Sequence, residues 1–123
     1  MEGQKKKTLV IGASDNPARY SWLAVDHLRN LGHPVVAIGR QQGRIGDVEI
    51  RADKAAIKDI DTVTLYLSAG RQKEYYDYIL SLHPRRLIFN PGAENDELAS
   101  LAASNGIQPM EACTLVLLST GQY

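Results

Sequence analysis

The stretch VIGASDNPARY, residues 10–20, runs from apolar residues through one glycine into a short polar loop ending in an arginine and a tyrosine. These residue types suit an anion. Gly12 lets the backbone approach a ligand closely, Ser14 brings a hydroxyl donor and Arg19 a full positive charge. Asn16 followed by Pro17 reads as a helix N-cap with proline at the first helical position. The N–H groups of that first turn have no partner within the helix, so they offer a phosphate hydrogen bonds and the positive end of the helix dipole. The stretch also departs from the G-x-G-x-x-G pattern of dinucleotide-binding turns. Ser14 and Pro17 stand where the second and third glycines would be, and proline removes one N–H from the cradle, which argues against the usual NAD fingerprint. Two other readings stay open: Asp15 fills the anion position with its own carboxylate, or the helix is simply capped and holds nothing.

A second candidate follows the apolar run PVVAI, residues 34–38, which ends in Gly39-Arg40 with Gln41, Gln42 and Arg44 beyond. NAD-binding folds carry an acid there for the ribose hydroxyls. An arginine suits a phosphate on the adenosine ribose instead, either the 2′-phosphate of NADP or the 3′-phosphate of coenzyme A (CoA), held by two parallel hydrogen bonds. Taken alone, a solvated surface arginine is the simpler reading.

Two further loops have suitable chemistry. Ser68-Ala69-Gly70 leaves room for a ring, and Arg71 and Lys73 then open a helix whose dipole they oppose unless an anion meets them or Glu74 and solvent absorb the cost. In Asn90-Pro91-Gly92-Ala93, Asn90 and Gly92 can touch a ligand edge-on. Glu94, Asp96 and Glu97 already satisfy the following helix, so a phosphate prefers the first one.

These loops need a frame. Apolar and β-branched runs predict strands at residues 7–12, 34–38, 48–50 (a short edge strand), 61–67, 86–89 and 107–110. Helical spacing predicts helices at 18–31, 71–82, 96–105 and 113–119, with a helical turn at 55–60. Gly43 and Gly46-Asp47 read as turns. Strands alternating with helices imply right-handed parallel crossovers and an open α/β sheet that binds ligands at the carboxyl ends of its strands. The four candidate loops all fall at that end.

Catalytic equipment is hard to find. His27, His33 and His83 have no partner at metal-ligand spacing, and no nucleophile–base pair is evident, so neither a catalytic residue nor a metal site is expected. Cys113 follows the last strand near a helix start; burial as a small apolar residue is the expectation. Tyr75, Tyr76 and Tyr78 cannot all face one core, which puts one or two on a subunit surface, and LVLL, residues 115–118, seals the core or a dimer.

The chain has 123 residues, enough for one domain with one sizeable core. Fourteen basic and fourteen acidic residues cancel, so no global field draws nucleic acid or membrane. One cysteine excludes an internal disulfide, and the apolar run after Lys5, Lys6 and Lys7 is too short for a signal peptide or a span. A cytoplasmic protein is expected.

Taken together, VIGASDNPARYS (10–21), GHPVVAIGR (32–40), DTVTLYL (61–67), IFNPGAENDELASLAASNGI (88–107) and EACTLV (111–116) resemble the small single-domain CoA-binding proteins, which are similar to the CoA-binding domain of the succinyl-CoA synthetase α subunit. The resemblance implies a Rossmann-like open parallel sheet of about five strands, order 3-2-1-4-5, with helices on both faces. It implies CoA or acyl-CoA as ligand, with Gly12, Ala13, Ser14, Asn16, Pro17, Arg19 and Tyr20 at the diphosphate. Gly39 and Arg40 would lie at the adenosine 3′-phosphate, Ser68, Ala69 and Arg71 on the adenine side, and Asn90, Pro91 and Gly92 at the inner rim. Glu111-Ala112-Cys113-Thr114 departs from the family's Asp-Arg-Cys-Pro, and the synthetase's phosphorylated histidine belongs to a domain absent here. The expected function is non-catalytic binding, as a carrier, sensor or regulatory subunit, acting as a homodimer or with a protein partner. An NADP-dependent oxidoreductase and an interaction subunit with a vestigial pocket are the rivals.

Overall fold

The computed structural model describes residues 4–123. Seven strands, β1 (Thr8–Ile11), β2 (Val35–Ile38), β3 (Gly43–Ile45), β4 (Val48–Arg51), β5 (Thr62–Leu65), β6 (Arg86–Phe89) and β7 (Gln108–Glu111), form one sheet in the order β3-β4-β2-β1-β5-β6-β7. Every neighbouring pair is parallel except β3 with β4. The α/β class holds, but the sheet has seven strands where five were expected, and its order is extended at both edges. The run β4-β2-β1-β5-β6 carries the implied 3-2-1-4-5 progression; β7 adds a parallel strand beside β6, and β3 folds back on β4 as an antiparallel hairpin. Residues 48–50 were expected at an edge, but β3 covers them.

The central strands TLVI, TVTL and RLIF are buried at every position, because helices cover both faces of the sheet. Alternate residues feed two cores. Leu9, Ile11, Val63, Leu65, Leu87 and Phe89 pack with Ile79, Leu98 and Ala102 on one side. Val10, Ala37, Ile45 and Ile50 pack with Val25, Leu28 and Leu118 on the other. The helices are α1 (Tyr20–Asn30), α2 (Ala69–Gln72), a 3₁₀ turn (Lys73–Tyr75), α3 (Tyr76–Leu82), α4 (Asp96–Ser104) and α5 (Thr114–Ser119).

Three expectations need correction. Residues 55–60 form no helix; Asp59 has a φ of 62° and interrupts the run, while Ile57 and Ile60 anchor the segment on the core. The helix expected at 71–82 begins two residues earlier and is broken by the 3₁₀ turn. The three tyrosines need no subunit surface. Tyr75 is buried, and the half-buried Tyr76 and Tyr78 donate their hydroxyls to Glu97 and to the Ala55 carbonyl.

At the amino ends of the strands, Tyr123 closes the sheet. Its hydroxyl shares a 2.6 Å hydrogen bond with Thr8 Oγ1, and the guanidinium of the buried Arg86 lies 4.2 Å from its ring centre. The His33 ring meets Tyr123 edge-on, and His33 Nδ1 accepts a hydrogen bond from the Lys6 N–H. Burial first, then the charges of Lys5, Lys6 and Arg86, against a smaller opposing effect of Asp61, holds the His33 imidazole below its ordinary pKa. The unfolded chain therefore binds this proton more readily, and the stability it contributes is lost as pH falls through the unfolded value near 6.5. The melting temperature should fall between about pH 7.5 and about pH 5.5, and fall less in His33→Gln; parallel slopes in thermal melts would remove His33 as the cause.

Candidate functional site

The carboxyl ends of β1, β2, β5 and β6 rise around a hollow of about 700 Å³. Sheet order reverses here: β2 lies on one side of β1 and β5 on the other, the place where open α/β sheets take ligands. Gly12, Ala13, Ser14, Arg19 and Tyr20 line it from the first loop, Arg40 from the second, Arg71 from the third, and Pro91 and Gly92 from the fourth. All four loops marked in the sequence therefore meet at one concavity.

Gly12 turns the chain out of β1 at φ 95°, with the Tyr66 carbonyl so close that a Cβ would sit 3.0 Å from it. The loop then closes on itself. Asn16 Oδ1 accepts from the Ala18 N–H, its carbonyl accepts from the Arg19 N–H, and Ser14 Oγ accepts from the Asn16 N–H. This corrects the expected cap. Asn16 stabilises the preceding turn, Pro17 lies in that turn, and Arg19 is the N-cap of α1, with no side-chain capping bond and no acid in the first turn. The helix start remains open toward an anion, displaced three residues from its expected place. Asp15 does not plug it, because its side chain lies against Gly43 on β3.

Arg19, Arg40 and Arg71 are all exposed, and among the described residues none of them forms an ion pair. Three guanidiniums and one carboxylate, Asp15, thus share one hollow in a chain with no net charge. Such a cluster concentrates a positive field in a concave site. Tyr20, 73% exposed, stands at its edge.

A family model for the CoA-binding domain matches residues 6–119. The chain belongs to the CoA-binding domain family. The crystal structure of an uncharacterized protein superposes on it with a TM-score of 0.96 at 44% identity, covering 98% of this chain and 100% of that one. A protein from Thermus thermophilus superposes with a TM-score of 0.84 at 18% identity, covering 97% of this chain and 91% of that one. A dinucleotide-forming acetyl-coenzyme A synthetase from Ca. Korarchaeum cryptofilum, in complex with phosphate and ADP, gives 0.71 at 15% identity over 86% of this chain and 25% of that one. The last two likenesses concern the fold alone. No curated protein matches the chain.

Within this CoA-binding domain, six of the expected residues stand outside the lining of the hollow. Asn16 and Pro17 are exposed in the turn before α1. Gly39 is buried under the first loop, pressed against the Ala13 carbonyl. Ser68 is the N-cap of α2 and Ala69 its first residue. Asn90 is buried at 2% exposure, and its side chain holds the protein together. Its Nδ2 donates to Thr64 Oγ1 and the Leu65 carbonyl, and its Oδ1 accepts from the Thr114 N–H. Gly92 does line the hollow, but its N–H is already donated to Glu94.

Other lining residues were not assigned to the ligand from the sequence: Asp15, read there as a filler of the anion position, and Ala18, Ser21, Gln41, Tyr66, Leu67 and Ala93. Burial first, then the nearby Cys113, keeps the Tyr66 phenol above its ordinary range. Cys113 itself is half-exposed at the N-cap of α5, so the expectation of burial does not hold. The wall made by the third and fourth loops is tied together by Gln72, which is fully buried and donates to the carbonyls of Leu67 and Ala93 at 2.8 and 2.7 Å. Its Oε1 accepts from Asn95, whose own side chain caps α4.

Proposed function

We propose that this chain is a cytoplasmic, non-catalytic module that binds coenzyme A or an acyl-CoA, as a carrier, sensor or regulatory subunit for a protein partner. The observation that carries the reading is the convergence of Arg19, Arg40 and Arg71, from three separate segments, on one hollow beside an uncapped α1 start. CoA offers that surface a diphosphate and a ribose 3′-phosphate. In this reading the diphosphate lies over Gly12, Ala13 and Ser14 with Arg19. The 3′-phosphate lies at Arg40, and the adenine on the Ser68–Arg71 side. Family membership supports a CoA-related ligand. The volume falls within the roughly 300–1,000 Å³ of ordinary ligand sites.

Thermal melts with CoA, dephospho-CoA and NADPH test the reading. Ligand at about 100 times its dissociation constant stabilises by about 2.7 kcal/mol. CoA should raise the melting temperature more than dephospho-CoA, and NADPH little. Arg40→Ala should weaken CoA by about tenfold or more, the scale of a charged hydrogen bond, and leave dephospho-CoA nearly unchanged. A larger response to NADPH would overturn the proposal, and an undiminished gap between CoA and dephospho-CoA in Arg40→Ala would remove that arginine from it.

A further inference from the structure

One carboxylate on the hollow has no role in the reading above. Asp15 lines it together with Arg40 and Gln41, on the loop between β1 and α1. Its side chain lies against Gly43 of the edge strand β3. A Cβ built on Gly43 would lie 2.9 Å from Asp15 Oδ2 and 3.2 Å from Asp15 Cβ, so any larger residue at position 43 would displace the carboxylate. The first loop and the tip of β2 are joined where Gly39 presses on the Ala13 carbonyl and the Ala13 N–H donates to the Ile38 carbonyl at 2.9 Å. Asp15 and Arg40 are therefore each within two residues of that junction, at the same end of the hollow. Asp15 is exposed and, among the described residues, forms no ion pair.

We propose that Asp15 is a specificity-determining residue that decides which ribose hydroxyl of the ligand carries phosphate. The inference rests on the CoA reading. Arg40 takes the 3′-phosphate, and Asp15 accepts a hydrogen bond from the free 2′-hydroxyl beside it. An ionised carboxylate only accepts, so it welcomes a hydroxyl and repels a phosphate at the same point. A ligand phosphorylated at the 2′ position brings two negative charges to Asp15 and leaves its acceptors without a donor. The charge that admits the phosphate and the charge that fixes its position thus come from different loops. Gly43 on the hairpin is the space that lets the second one reach its place.

Adenosine 3′,5′-bisphosphate and adenosine 2′,5′-bisphosphate differ only in that phosphate, and calorimetry with each on the wild-type protein, Asp15→Asn and Gly43→Ala tests the assignment. The wild-type protein should prefer the 3′,5′ isomer by about tenfold or more. Asp15→Asn removes a negative charge and strengthens both isomers, so the ratio is the readout; it should shrink to about threefold or less, chiefly through tighter binding of the 2′,5′ isomer. Gly43→Ala, which moves the carboxylate without removing it, should shrink the ratio in the same direction. Ratios unchanged in both variants, or a wild-type preference for the 2′,5′ isomer, would overturn the role of Asp15 while leaving an adenylate site in place. Binding of neither isomer would overturn the CoA reading and this inference with it.

Discussion

Asn90→Ala is expected to lower the unfolding free energy by about 3–4 kcal/mol, seen as a lower denaturant midpoint with an unchanged m-value. The side chain is 2% exposed and makes three hydrogen bonds, to Thr64 Oγ1, the Leu65 carbonyl and the Thr114 N–H. It thereby joins β5, β6 and α5 at the point where the fourth loop leaves the sheet. Alanine would strand the Thr114 N–H without a partner and leave a void in a closed part of the structure, and each buried group left unpaired costs about 1–3 kcal/mol. The sequence resemblance instead puts Asn90 on the ligand. The two roles separate cleanly: an Asn90→Ala protein of wild-type stability with weakened CoA binding would return this side chain to the ligand.

Gly39→Ala is expected to abolish most CoA-dependent stabilisation, weakening the ligand by about tenfold or more, and to cost about 1–3 kcal/mol of stability from overpacking. A Cβ at this position would run into the Ala13 carbonyl and lie 3.0 Å from Ile50 Cγ2. The carbonyl belongs to the first loop, and the Ala13 N–H is bonded to the Ile38 carbonyl, so the loop cannot yield without pulling away from β2. Such a shift separates Arg40 from the α1 start, the two ends of the proposed ligand. Gly70→Ala, in the short helix α2 with nothing within 4 Å of an added Cβ, is the control for stability alone, which should be unchanged or raised by up to about 1 kcal/mol. Equal CoA titrations of Gly39→Ala and the wild-type protein would show that the contact between the two loops does not shape the site.

Particular residues show how much could be read in advance. TVTL and RLIF declare themselves as buried strands because β-branched and apolar residues run without a polar break. Strand β3 escapes notice because only Ile45 of its three residues is buried, too short a run for any period. The helical turn expected at 55–60 fails because Ile57 and Ile60 fix the segment on the core while Asp59 adopts a left-handed backbone. Asn16-Pro17 looks like a cap because the local pattern is correct. The turn closing on Arg19 moves the helix start, and no dipeptide rule contains that information.

By itself, the order of residues determined the α/β class, the four loops at the carboxyl ends of the strands and the family resemblance. All of these follow from local periodicity and short-range loop chemistry, which neighbours along the chain specify. Only the tertiary structure decided which side chains face the hollow and which hold its walls. Asn90 looks like a ligand-binding amide in the sequence, yet its side chain is taken up by Thr64 Oγ1 and the Leu65 carbonyl on β5 and by the Thr114 N–H of α5. Asp15 looks like a plug for the first helix, yet it is drawn across to a glycine on a strand that the sequence barely announces. The physical reason is that hydrogen-bond satisfaction and steric room are properties of segments far apart in the chain, and they become definite only when the sheet brings those segments together.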